Sequence, residues 1–157
     1  MPAASGDPDR NDNHDPPPGR NRAQVAESGV LTASVGDGRV ASASRADYAE
    51  AAAVVLTTDG HLGQVYELGG DVAWTFSDLA VALGEVAGRE VVYTPLTTEE
   101  HAAQLAGFGL DEGTIGFVTA LDANIRDGAL AEVTGDLARL IGRPTTPLLE
   151  GLRAAAV

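Results

Sequence analysis

The sequence predicts an α/β fold, because one continuous stretch, residues 64–96, has the pattern of a strand, a capped helix and a second strand. The strand pattern at Val65–Leu68 alternates apolar and polar side chains and stops at two glycines. Thr75 lies three residues before Asp78, which is a variant of the capping box that begins helices. In α/β proteins of this kind, ligands bind at the ends of the strands.

The helix after Thr75 is predicted to run from Phe76 to Ala87. Apolar residues recur along one of its faces, at Phe76, Leu79, Leu83 and Val86. Gly88 follows and is suited to the left-handed conformation that ends many helices. Val91–Tyr93 is then predicted as a strand, and Thr97 and Glu100 form a full capping box that opens the next helix.

The C-terminal part is predicted to be mainly helical. A helix over residues 110–125 is followed by a turn at Asp127 and Gly128. Thr134 is predicted to cap a short helix that ends at Ile141. The final helix is expected to have Thr146 as its cap and Pro147 at its first position.

A glycine-rich string precedes all of these elements. Residues 36–41 match the letters G-x-G-x-x-A of the motif that holds a dinucleotide pyrophosphate. That motif needs a strand before it and a helix directly after it, whereas residues 39–44 alternate like a strand. A turn between two strands is therefore the favoured prediction.

Composition predicts one modest domain after a different N-terminal segment. The chain has 157 residues, of which 44% are hydrophobic, and residues 23–157 are predicted to form an α/β domain. Residues 1–22 are rich in Pro, Asp, Asn, Gly and Arg and predict a disordered tail. No apolar run is long enough for a membrane span, and a cytoplasmic protein is the default expectation.

Charge and residue types exclude several functions. The net charge is −13, and the arginines form no basic stripe, so nucleic-acid binding is not expected. Cysteine is absent, which excludes disulfides, thiol catalysis and iron–sulfur clusters. Lysine is also absent, which excludes a Walker-type phosphate loop, Schiff-base chemistry and the tyrosine–lysine pair of ordinary short-chain dehydrogenases.

The histidines have no metal-ligand spacing. His14 lies in the predicted tail, His61 in a predicted turn and His101 in the first turn of a predicted helix. Three surface histidines are favoured over a metal site. Asp111 and Glu112 are expected to start a helix, because carboxylates stabilise the positive end of the helix dipole.

Four residues are candidates for a substrate pocket. Asp47 and Tyr48 stand where a strand meets a helix, the position at which open α/β sheets bind ligands. The structural alternative, which we favour, is that Asp47 caps the helix and Tyr48 packs under the sheet. Trp74 could form a pocket wall or pack against its own helix, and Phe108 could form a mobile lid between two glycines or pack within its loop.

Six segments of the sequence together match the pattern of one known family: Val65–Gly70, Trp74–Phe76, Ala87–Gly88, Val91–Tyr93, Ala43–Ala49 and Leu140–Pro147. Through these segments the sequence resembles the C-terminal part of NmrA-like, atypical short-chain dehydrogenases, and within them the bacterial NAD(P)H:quinone oxidoreductases. The likeness covers residues 23–155, and none of its motifs is a catalytic motif.

The resemblance implies a substrate-side lobe of an atypical Rossmann-type protein without the N-terminal dinucleotide-binding unit. It implies a quinone as substrate and NADPH or NADH as cofactor in the family, with no cofactor bound by this chain alone. It also implies that the junction at Asp47 and Tyr48 faces the substrate cleft. No residue is assigned as catalytic or as cofactor-binding.

Two functional interpretations stay open. In the first, the chain is the substrate-binding part of a quinone oxidoreductase, truncated and inactive alone. In the second, it is a non-catalytic module that senses a small molecule or binds another subunit. A degenerate remnant without function is a third. Strands that lie against a missing half would leave an apolar face uncovered, so self-association is also expected.

Overall fold

Two small sheets organise the fold. The computed structural model describes Val25 and residues 28–155. Strand β1 (Val30–Ala33) pairs in parallel with β4 (Val92–Pro95), and Val30 is opposite Val92. Strand β2 (Arg39–Val40) pairs antiparallel with β3 (Trp74–Thr75).

Six helices account for much of the described chain. They are α1 (Arg45–Thr57), α2 (Phe76–Ala87), α3 (Thr98–Gly107), α4 (Glu112–Arg126), α5 (Asp136–Ile141) and α6 (Leu148–Ala154). The predicted α/β class is therefore confirmed. None of the helices in the described residues is long and apolar enough to cross a membrane.

The predicted helix ends in the central region are confirmed. Thr75 and Thr97 each form a complete capping box, with Asp78 and Glu100 as the acidic partners. Gly88 ends α2 with φ of 66°, the left-handed conformation expected of a glycine there. Local side chains therefore fix where α2 and α3 begin, as the sequence indicates.

The described core consists of separate apolar clusters. Leu31, Ala80 and Val91 are buried between β1 and α2, with Phe76 packed against them. A second cluster joins the end of β1 to α4. A third packs α1 against α5 through residues Ala51, Leu137 and Ile141.

The predicted strand at Val65–Leu68 is wrong, because the described chain offers it no strand partner. Instead, one residue of this stretch, Glu67, is held by hydrogen bonds at the start of α5. The Glu67 amide donates to the Asp136 carboxylate at 3.1 Å, and the Thr134 hydroxyl donates to the Glu67 carbonyl oxygen at 2.5 Å.

The glycine-rich string at residues 36–41 forms a turn, as predicted. The Gly38 amide donates to the Val35 carbonyl oxygen at 3.0 Å, and β2 follows rather than a helix. The two flanking strands do not pair with each other, however. β1 pairs with β4 and β2 pairs with β3, so the turn changes sheets.

Two predicted helix caps near the C-terminus differ from the structure. Gly135 is the N-cap of α5, and the Thr134 hydroxyl accepts a hydrogen bond from the Asp136 amide at 3.2 Å. Pro147 is the N-cap of α6, which has no side-chain cap. Thr146 does not cap α6, because it binds Asp47 instead. The predicted tail, residues 1–22, lies outside the described residues.

Candidate functional site

A buried carboxylate at the start of α1 ties two distant parts of the chain together. Asp47 is 0% exposed. Its carboxylate accepts hydrogen bonds from the Arg143 guanidinium at 2.8 Å, the Thr146 amide at 2.8 Å and the Thr146 hydroxyl at 3.0 Å. We refer to Ser44, Asp47, Glu50, Arg143 and Thr146 as the Asp47 junction.

The cap of α1 is Ser44, so the prediction that Asp47 is the cap is wrong. The Ser44 hydroxyl accepts a hydrogen bond from the Asp47 amide at 3.0 Å. Because Ser44 satisfies this amide, the Asp47 carboxylate is free to bind the loop before α6. The carboxylate therefore positions the loop at residues 143–147 rather than the first turn of its own helix.

The electrostatics of the Asp47 junction favour the ionised carboxylate. Burial raises the pKa of Asp47, but the hydrogen bonds from the Thr146 amide, the Arg143 guanidinium and nearby hydroxyls outweigh it and lower the pKa from 3.8 to about 2. Arg143 also binds Glu50 at 2.5 Å. Both carboxylates raise the pKa of Arg143, so the group stays charged.

A second pair of contacts holds the same loop against the segment before β3. The Asp71 amide donates to the Thr145 hydroxyl at 2.9 Å, and the Thr145 amide donates to the Asp71 carboxylate at 2.7 Å. The Gly70 amide donates to the Ala41 carbonyl oxygen at 2.8 Å. A Cβ atom at Gly70 would clash with the Ser42 carbonyl oxygen, so this close approach requires glycine.

The three aromatic candidates for the substrate pocket differ in their exposure and in the residues that they contact. Tyr48 is 36% exposed on the first turn of α1. The Trp74 indole N–H donates to the Ser42 hydroxyl at 3.0 Å, and its ring lies 5.9 Å from that of Phe76. Phe108 follows α3 and is 49% exposed. No hydrogen bond or ring contact among the described residues joins Phe108 to the Asp47 junction.

A buried histidine was missed by the sequence analysis. His101 is 6% exposed, so the prediction of a surface histidine is wrong at this position. Its Nδ1 atom lies 2.8 Å from the Asp122 carboxylate. The same carboxylate accepts hydrogen bonds from the Ser34 amide and from the Ser34 hydroxyl, each at 2.7 Å. Asp122 lies on α4, so nothing in the pattern of α3 alone could reveal the pair.

Ser34, His101 and Asp122 do not form a catalytic triad, because their hydrogen bonds serve to connect a strand with two helices. In a triad the nucleophilic hydroxyl contacts the histidine. Here the Ser34 hydroxyl donates to Asp122 instead. The Arg126 guanidinium adds a hydrogen bond to the Ser34 carbonyl oxygen at 2.7 Å. The contacts join the end of β1 to α3 and α4.

His61 lines an open cavity of about 440 Å³ between the end of α1 and α5. Its ring nitrogens lie 2.7 Å from the Thr58 hydroxyl and 2.7 Å from the Tyr66 hydroxyl. The described residues contain no group of three or more side chains placed to hold a metal ion. His14 lies outside the described residues.

The turn at residues 36–41 does not have the form of a Rossmann-type pyrophosphate site. A pyrophosphate site of the Rossmann type needs a glycine-rich turn that passes directly from a strand into a helix. Gly36 lies in the string that matches the motif by letters, but that string passes into β2. No residue of this turn is therefore assigned to a cofactor.

Comparison with known proteins gives a consistent set of relatives, although no family model matches the chain. Quinone oxidoreductase 2 of Escherichia coli is 44% identical over 126 residues, which cover 80% of this chain and 44% of that protein. An NAD(P)H azoreductase of Xenophilus azovorans is 30% identical over 132 residues, which cover 84% of this chain and 46% of that protein.

Comparison with solved structures gives a relative of the same kind. The crystal structure of the Escherichia coli NADPH-dependent quinone oxidoreductase in complex with NADPH matches with a TM-score of 0.80 and 40% identity. The match covers 87% of this chain and 50% of that one. This chain therefore spans about half the length of the relatives it matches.

Proposed function

Because the chain belongs to the NmrA-like oxidoreductase family of Escherichia coli quinone oxidoreductase 2, we propose that it forms the substrate-side half of an NAD(P)H-dependent quinone reductase. The single observation that carries the proposal is the 44% identity over 126 residues to that enzyme. The match extends over 80% of this chain, so it includes most of the described fold.

The Asp47 junction supplies the rigid part of the proposed pocket. Asp47 is a positioning residue, because its carboxylate oxygens already bind Arg143 and Thr146. Its contacts hold the N-terminus of α1 against the loop at residues 143–147. A site held by buried hydrogen bonds keeps its neighbours in one geometry, which is what orientation of a substrate requires.

Three aromatic residues, Trp74, Tyr48 and Phe108, supply the proposed contacts with the substrate. The Trp74 indole is held by the Ser42 hydroxyl and lies against Phe76, and its flat ring is suited to stacking on a quinone. Tyr48 lies beside Asp47 and is partly exposed. Phe108 is the proposed lid, because Gly109 follows it with φ of 79° and allows the chain to reverse there.

The nicotinamide cofactor is assigned to the half of the fold that this chain does not match. The cofactor supplies the hydride in reactions of this class. The residues of this chain bind and orient the acceptor, and we expect the chain alone to bind no NADPH. We assign the cofactor to the other half because the glycine-rich turn at residues 36–41 leads into β2 and not into a helix.

The test is a fusion of this chain to the half of the Escherichia coli enzyme that it does not match. We expect the fusion to oxidise NADPH with a benzoquinone, and the chain alone to leave NADPH unchanged. Trp74→Ala in the fusion should raise KM for the quinone roughly fivefold, because a stacked aromatic pair contributes about 1 kcal/mol. Phe117→Ala, at a 70% exposed position on α4, is the matched control and should leave KM unchanged.

The same experiment separates the two functions that the sequence leaves open. A fusion that binds NADPH and a quinone but transfers no hydride would contradict the reductase and favour the sensing or subunit-interaction module. Loss of the Trp74 effect with activity retained would contradict only the assignment of the pocket wall.

A further inference from the structure

The chain contains three Asp-Gly dipeptides, at residues 37–38, 59–60 and 127–128. Such a dipeptide can cyclise, because glycine has no side chain that hinders attack by its amide nitrogen on the carboxyl group of the preceding aspartate. A bond forms between that nitrogen and the carboxyl carbon, and the carboxyl hydroxyl leaves as water with the amide proton. The product is a cyclic succinimide.

Water reopens the succinimide at either of its two carbonyl carbons. Addition at one carbonyl restores aspartate, and addition at the other gives isoaspartate, in which the main chain continues through the former side chain. The reaction begins at the glycine amide, so an amide that is already held in a hydrogen bond must first be released. The contacts of the glycine amides therefore distinguish the three dipeptides.

Two of the three glycine amides are held by hydrogen bonds. The Gly38 amide donates to the Val35 carbonyl oxygen at 3.0 Å. A Cβ atom at Gly38 would lie 2.5 Å from the Ile125 carbonyl oxygen, so this glycine is also packed against α4. The Gly128 amide donates to the Ile125 carbonyl oxygen at 3.0 Å. Cyclisation at either position requires a hydrogen bond to break and the fold to open locally.

The third dipeptide lies in the loop after α1, where both reacting groups are free. The Gly60 amide donates to no acceptor among the described residues, and the Asp59 carboxylate accepts no hydrogen bond from them. Both residues are exposed. A Cβ atom at Gly60 would meet no atom of a residue beyond its chain neighbours within 4 Å. The loop therefore has room for the ring.

We propose that Asp59 is a site of spontaneous isomerisation, at which the folded chain cyclises onto the Gly60 amide and then opens to isoaspartate. Water is the only co-reactant, and it is released in the first step and taken up in the second. The proposal does not depend on the proposed function, because it uses only the loop after α1. The fold thereby directs to one position a reaction that the sequence allows at three.

Isomerisation at Asp59 changes the loop that carries His61 to the cavity beside α5. The His61 ring contacts the hydroxyls of Thr58 and Tyr66, each at 2.7 Å, and the Gln64 amide donates to the His61 carbonyl oxygen at 3.0 Å. Isoaspartate adds one carbon atom to the main chain between Thr58 and His61, so these contacts lose their spacing. The Gln64 amide should therefore exchange with deuterium faster in the isoaspartyl form, and equal exchange in the two forms would overturn this consequence.

Ageing of the purified chain in neutral buffer tests the proposal. Because the chain contains no lysine, trypsin cuts only at arginine and releases the dipeptides in separate peptides, residues 23–39, 46–89 and 127–139. Mass spectrometry with electron-transfer fragmentation then distinguishes isoaspartate from aspartate. We expect isoaspartate to accumulate at Asp59 roughly tenfold faster than at Asp37 or Asp127, since a hydrogen bond must break first at the other two.

The same ageing in concentrated urea is the control for the role of the fold. Unfolding frees all three glycine amides, so the three sites should then form isoaspartate at similar rates. Equal rates in the folded chain, or a preference for Asp59 that persists in urea, would overturn the proposal.

Asp59→Glu is a matched variant that keeps the charge of the loop. Its longer side chain would have to close a larger ring, which forms far more slowly. Isoaspartate should disappear from the peptide of residues 46–89 and stay unchanged at Asp37 and Asp127. Isoaspartate that persists in that peptide would place the reaction at another aspartate and overturn the assignment.

Discussion

The Asp47 junction and residues 64–68 differ in how far their polar groups are paired. At the junction a fully buried carboxylate accepts hydrogen bonds from Arg143 and Thr146, and the loop before α6 is held by both side chains and backbone. In residues 64–68 the amides of Val65, Tyr66 and Leu68 donate to no acceptor among the described residues, and Val65 is 83% exposed. Contacts within the described part of the chain therefore complete the junction but not residues 64–68.

The largest expected effect comes from breaking the junction. Asp47→Ala should reduce the free energy of unfolding by about 3 kcal/mol, because it leaves the Thr146 amide without its acceptor and removes a buried partner of Arg143. Chemical denaturation of the purified chain measures the change.

Glu50→Ala is the matched control, because Glu50 binds the same guanidinium from the surface. The Glu50 side chain is 44% exposed, so its removal should cost less than about 1 kcal/mol. Equal losses in the two variants would contradict the view that burial, rather than the ion pair itself, makes the junction stable.

Acid should weaken the same junction by a smaller amount. The pKa of Asp47 is about 2 in the folded protein and 3.8 in the reference state, so the ionised form is favoured by folding. The resulting stability, about 2 kcal/mol, is present above pH 4 and is lost as the pH falls towards 2.

A comparison with Asp47→Asn isolates this contribution from other carboxylates that titrate in the same range. The difference in unfolding free energy between the wild-type chain and Asp47→Asn should shrink as the pH falls from about 5 to about 2. A difference that stays constant over this interval would show that folding does not lower the pKa of Asp47.

The sequence predicts those parts of the fold that depend on neighbouring residues. The capping boxes at Thr75 and Thr97 and the glycine at the end of α2 act within one helical turn, and all are confirmed. Asp111 likewise starts α4 as expected, since its side chain accepts a hydrogen bond from the Thr114 amide. Such signals need no knowledge of the rest of the chain.

Contacts between distant residues could not be predicted in this way. Asp47 has the position of a helix cap, and only the approach of Thr146 from the other end of the chain shows its actual role. His101 is buried by Asp122, which belongs to a different helix. The alternating pattern at Val65–Leu68 reports the tendency to form a strand, but pairing depends on a partner that the described residues do not supply.

The smallest effect on the unfolding free energy is expected at Val65, because its side chain is exposed. Val65→Ala should change the unfolding free energy of the chain alone by less than about 0.5 kcal/mol, since the 83% exposed side chain buries little apolar surface. Val35→Ala makes the same chemical change at a 0% exposed position in the cluster with Ile125, and should cost about 2 kcal/mol. If Val65→Ala destabilises the chain as much as Val35→Ala does, residues 64–68 are already packed and the contrast with the Asp47 junction fails.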